Sequence, residues 1–91
     1  MAATDRLPPI LDTVAAPALR ETLLARRGEA LTLDGGEVER LGGLCLQVLL
    51  AAERTWRGDG AAFGVEPRSE ALTQALSRLG ASDLLPGKAD A

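Results

Sequence analysis

Ninety-one residues with 46% apolar side chains suffice for one modest hydrophobic core but not for a second unit, so a single domain over residues 1–91 is expected. Ten basic residues scattered among thirteen acidic ones give a formal charge of -3 and no electrostatic footprint for nucleic acid, and the longest apolar stretch, 41–52, is too short to span a bilayer. The first residues show no basic segment followed by an apolar run, and the lone Cys45 cannot close an internal disulfide, so a cytoplasmic location without membrane insertion is expected.

In chain order, residues 6–11 (RLPPIL) are apolar enough to touch a core. Pro8 and Pro9 each remove a backbone donor, which restricts the segment to an edge strand or an extended lead-in. Residues 13–27 read as a first helix, with Thr13 placed to cap, Pro17 in the first turn, Ala15, Ala18, Leu19 and Leu23 on one face, and Gly28 as terminator. Residues 30–34 (ALTLD) alternate and run into Gly35 and Gly36, which predicts a central strand and a turn. A second helix follows Gly42 and Gly43. Its face is Cys45, Val48, Leu49, Ala52 and Trp56, widened by Leu46 and Leu50, as expected of a helix covered on more than one side.

Gly58, Asp59 and Gly60 break the chain, residues 61–65 (AAFGV) suggest a third strand before Glu66 and Pro67, and Ser69 is a good cap for a third helix. That helix carries a narrow stripe of Ala71, Leu72, Ala75, Leu76 and Leu79 and stops at Gly80, after which Leu84 and Leu85 can pack back. Strands alternating with helices imply an α/β fold with a largely parallel or mixed sheet. The core is expected over about residues 7–85, with a frayed tail over 86–91.

With no His and no Tyr, and one Cys without a base, the usual nucleophile and base pairs cannot be assembled, and the dispersed carboxylates suggest no metal site. No phosphate loop or dinucleotide fingerprint is present. No enzyme activity, cofactor or metal is therefore expected. Three residues carry two readings each: Cys45 as a redox thiol or a buried one, Trp56 as an interface anchor or a core plug, and Gly42 with Gly43 as an anion-binding helix start or simply a tight turn.

The string LDGGEVERLGGLCLQVLL, residues 33–50, resembles the signature of STAS domains, the fold of anti-sigma-factor antagonists, whose usual pattern is similar to LDLSGVEFIDSSGLGVLL. Leu33, Asp34, Val38, Glu39, Leu46, Val48, Leu49 and Leu50 match without a gap. The flanks agree in LDTVAAPALRETL and in a closing helix ending LSRLGASDLL. The resemblance implies a small sheet of about three to four strands with three main helices, the family's first hairpin being reduced to the Pro-rich segment. In phospho-switching members an Asp-Ser-Ser-Gly stretch places a phosphorylated Ser or Thr at the dipole of helix two. Its counterparts here are Gly42, Gly43, Leu44 and Cys45, so Gly43 occupies the acceptor position and has no hydroxyl.

The resemblance further implies a partner-binding surface made of Asp34, Gly35, Gly36, Glu37, Glu39, Arg40, Gly42, Gly43, Leu44, Leu46 and Gln47. The expected partner is a kinase with an ATP-binding domain, either a histidine or chemotaxis kinase or one of the anti-sigma type. The alternatives are the ATPase of a lipid-transport ABC complex, or a small-ligand or lipid sensor. A homodimer is a further possibility, through the broad face of helix two or the weak edge at Pro8 and Pro9.

Overall fold

The computed structural model describes residues 3–87. In chain order its elements are β1 (Ala3–Arg6), β2 (Ile10–Leu11), α1 (Ala16–Ala25), β3 (Leu31–Gly35), β4 (Arg40–Leu41), α2 (Gly43–Gly58), β5 (Phe63–Arg68) and α3 (Glu70–Arg78). The alternating segment around Thr32 forms the middle of a three-stranded sheet ordered β1-β3-β5, parallel throughout, while β2 and β4 form a separate parallel pair. Leu31 and Leu33 on one face and Thr32 on the other are all buried, as expected of a parallel strand with cover on both faces.

Two parallel crossovers, β1 to β3 through α1 and β3 to β5 through α2, leave the two helices parallel and packed together. Their N-terminal ends are tied by the Cys45 thiol, which donates to the carbonyl of Asp12 at 3.2 Å. Their C-terminal ends are tied by Arg27, whose guanidinium meets both carboxylate oxygens of Asp59 at 3.0 and 3.3 Å. A single hydrophobic cluster runs from Leu7 to Leu85, built on Leu, Ala and Val and closed at one end by Trp56 and Phe63, whose ring centroids lie 5.5 Å apart.

Several sequence expectations shift. The first strand is not residues 6–11: β1 lies upstream in the polar segment ATDR, and the prolines separate it from β2. Pro8 and Pro9 form no sheet edge; the carbonyl of Pro9 accepts from the amides of Glu39 and Arg40 at 2.7 and 3.1 Å. Thr13 does not cap α1. The N-cap is Ala15, and Asp12 Oδ1 accepts from its amide at 3.0 Å, because Pro17 must sit in the first helical turn. The third strand begins two residues later than predicted and continues through Glu66 and Pro67 to Arg68. A proline is tolerated there because β5 is an outer strand.

Ser69 caps α3 as predicted, its hydroxyl accepting from the Leu72 amide at 2.9 Å. Leu79, placed on the buried stripe, is instead half-exposed at the helix end, and Leu84 is exposed while Leu85 packs inward. Pro86, placed at the start of the expected tail, is hydrogen-bonded to β5. The Val65 amide donates to the Pro86 carbonyl at 3.0 Å, and Arg68 donates to the carbonyls of Val65, Leu85 and Pro86, strapping this segment along the outer side of β5. Residues 88–91 of the predicted tail lie outside the described residues.

Candidate functional site

β3 delivers the chain to a turn because Asp34 and two glycines follow its last apolar residue. Asp34 Oδ1 accepts from the Gly36 amide at 2.9 Å, a side-chain turn that Asp forms readily, and Gly35 offers its carbonyl to the amides of Val38 and Ser69 at 3.3 and 3.0 Å. Val38 is buried and pins the far side of the turn; its carbonyl accepts from the Ser69 hydroxyl at 2.5 Å. The Pro9 carbonyl then holds residues 39 and 40, and the Leu11 carbonyl accepts from the Gly42 amide at 2.9 Å. The platform leading into α2 is thus held from two separate parts of the chain, residues 9–11 and Ser69.

Gly42 is the N-cap of α2 and has no side chain with which to cap it. The first intrahelical bond runs from the Leu46 amide to the Gly42 carbonyl at 3.1 Å, so the amides of Gly43, Leu44 and Cys45 precede the hydrogen-bonded helix. No acidic residue stands in the first turn, which leaves the positive end of the helix dipole uncompensated by any side chain of α2. A Cβ added at Gly43 would meet nothing within 4 Å. One at Gly42 would only touch the Leu11 carbonyl at 3.5 Å, and neither glycine has a positive φ. A tight turn therefore does not require either glycine.

The residues named from the sequence divide by exposure. Gly36, Glu37, Glu39, Arg40, Gly43, Leu44 and Gln47 are exposed and share the end of the molecule formed by the β3–β4 turn and the start of α2. Asp34 and Gly42 are half-buried. Gly35 and Leu46 are buried and lie beneath the surface rather than on it. Glu37 pairs with Arg6 at 3.2 Å in a solvent-exposed bridge, a type that contributes little to stability.

The open readings of Cys45 and Trp56 close on packing. Cys45 is fully buried, and burial pushes its thiol above the ordinary range, the opposite of an activated thiolate. Trp56 is buried, with its indole N–H donating to the Glu29 carbonyl at 2.6 Å. Among the described residues no three His, Cys, Asp or Glu side chains gather to hold a metal.

Beside this end, α1 and α2 enclose a groove of about 350 Å³ lined by Leu23, Leu24, Leu44, Val48, Ala51 and the edge of Trp56. The sequence placed Val48 and Trp56 on the apolar face of helix two but did not single out Arg20, Leu24 or Ala51, which also border the groove. Leu24 stands off the buried stripe of α1 and carries the one available signal, a large exposed apolar side chain.

A family model described as Mlab, STAS domain matches residues 6–86, nearly the whole chain. The chain belongs to the STAS domain family. The parallel three-stranded sheet, the short second pair and the three helices agree with that fold. Comparison with curated proteins gives no match. STAS domains are generally non-enzymatic and typically mediate protein–protein interaction, and membership suggests a regulatory or anti-sigma-antagonist-like role. Among the described residues no helix is long and apolar enough to cross a membrane.

Proposed function

We propose that this STAS domain is a non-enzymatic regulatory adaptor that docks a signalling kinase through the β3–β4 turn and the first turn of α2, without being phosphorylated there. The observation that carries the reading is Gly43: it stands at the exposed start of α2, surrounded by open space, where the family's pattern places an acceptor hydroxyl. In a switching member a phosphate at this position would add a dianion to the docking surface. Without that hydroxyl, docking is constitutive or controlled elsewhere. Gly36, Glu37, Glu39, Arg40, Leu44 and Gln47 supply the contacts around Gly43, with Asp34 and Gly42 shaping the backbone and Gly35 and Leu46 supporting it from below. The preferred partner is a histidine or chemotaxis kinase with an ATP-binding domain, or a kinase of the anti-sigma type.

The lack of a hydroxyl at Gly43 equally suits a second reading, an accessory subunit on the ATPase of a lipid-transport ABC complex, where no phosphorylation is needed. A photo-crosslinking residue at Gln47, with Gln74 on the exposed side of α3 as control, tests the surface in cells of the native host. The proposal expects an ATP-binding protein captured from position 47 and not from position 74, a kinase supporting the first reading and an ABC ATPase the second. Capture from position 74 alone would refute the placement of the docking surface. Incubation with ATP and the captured kinase should leave residues 35–46 unlabelled.

A further inference from the structure

The groove between α1 and α2 has the composition of a ligand slot rather than of an ordinary helix seam. Leu23, Ala52 and Trp56 form its buried floor, while half-exposed Leu24 and Leu44 and the partly buried Val48 leave its walls open to solvent. Its volume of about 350 Å³ lies within the usual range for small-molecule sites, about 300–1,000 Å³, and its lining is mostly apolar with a few polar groups, as such sites are.

Those polar groups are Arg20, Gln47 and Thr55, of which only Arg20 is charged. The helices run parallel, tied at one end by Cys45 and Asp12 and at the other by Arg27 and Asp59. On α1 the slot is bordered by Arg20, Leu23 and Leu24, with Arg20 on the N-terminal side of the two leucines. From Gln47 to Thr55 the slot follows eight residues of α2, about 12 Å at a 1.5 Å rise per residue, between apolar walls. No carboxylate borders the groove, and Arg20 makes no ion pair among the described residues. A cation without a counter-charge on the wall of an apolar slot is complementary to one anionic head on one hydrocarbon tail.

We infer that the α1–α2 groove binds a single-chain anionic amphiphile of the fatty-acid class, its carboxylate on Arg20 and its tail along the apolar walls toward Trp56. The inference is independent of the docking surface, although Leu44 and Gln47 border both.

Trp56 is the sole tryptophan and no tyrosine is present, so its emission reports on the floor of the groove without interference. The full chain is titrated with sodium dodecanoate below its micelle concentration, followed by Trp56 fluorescence and calorimetry, with 1-dodecanol as the uncharged comparator. Saturable one-to-one binding is expected, with dodecanol and the Arg20→Gln variant each weaker by about tenfold, the equivalent of about 1.4 kcal/mol. A second variant, Ala51→Phe, changes an exposed position and fills the slot, so it should abolish binding while the circular dichroism spectrum stays unchanged. Absence of saturable binding, or binding indifferent to both Arg20→Gln and Ala51→Phe, overturns the inference. So does binding only to phosphatidylglycerol vesicles, which would make the groove a membrane-surface contact.

Discussion

A Cβ on Gly35 would fall 2.5 Å from Cδ2 of Leu72 and 3.2 Å from the carbonyl oxygen of Pro67. Leu72 is buried in α3, and the Pro67 oxygen is backbone, so neither yields without moving an element. Gly35→Ala should therefore destabilise the fold by about 1–3 kcal/mol, the usual range for overpacking, and lower the thermal midpoint followed by circular dichroism. Gly36→Ala next to it, whose nearest neighbours would be side-chain atoms of Asp34 and Pro67 at 3.1 and 3.4 Å, should cost less. Equal losses would show that α3 does not press on the end of β3.

Arg68 holds residues 85 and 86 against β5 through their two carbonyls, with a third bond to Val65 inside the strand, and the Val65 amide depends on the same strap for its acceptor. Arg68→Ala should speed hydrogen exchange at Val65 more than at Leu33 in the sheet centre, because the strap opens locally while the sheet persists. Uniform acceleration across both strands would indicate global destabilisation instead.

Legibility in the sequence followed locality. The third helix was readable because its stripe and its Ser69 cap lie within ten residues of each other, and both act within the helix. The start of α2 was readable from the paired glycines and the broad apolar face. β1 was not: ATDR has no strand-like hydrophobic pattern, and its place comes from hydrogen bonding to β3, nearly thirty residues away in the chain. Pro67 read as a stop because its missing N–H matters in a central strand, but β5 is outermost and tolerates it. Within the candidate surface, the resemblance implies eleven contributors, yet only packing separates exposed Glu39 and Arg40 from buried Gly35 and Leu46. Arg20 stayed hidden for a similar reason, since its position on the groove depends on how α1 lies against α2.

Cys45 is sealed in the core, with its thiol raised by burial. Under native conditions it should react with a water-soluble thiol reagent orders of magnitude more slowly than in denaturant, at a rate set by opening of the fold. Rapid native modification at neutral pH would revive the redox reading of this residue.

In the proposed docking, the charge at the bare start of α2 decides whether the partner binds, and Gly43→Glu changes that charge alone at a site with room for the side chain. The added side chain enters open space at a helix N-terminus, where a carboxylate is worth about 0.3–1 kcal/mol of stabilisation and where loss of glycine also favours the helix. The variant should thus melt no lower than the wild-type chain. When both are tagged and recovered from cells of the native host, the wild-type protein should retain an ATP-binding kinase or ATPase and the variant should lose it. Retention of the same partner by a fully folded Gly43→Glu protein would contradict the account.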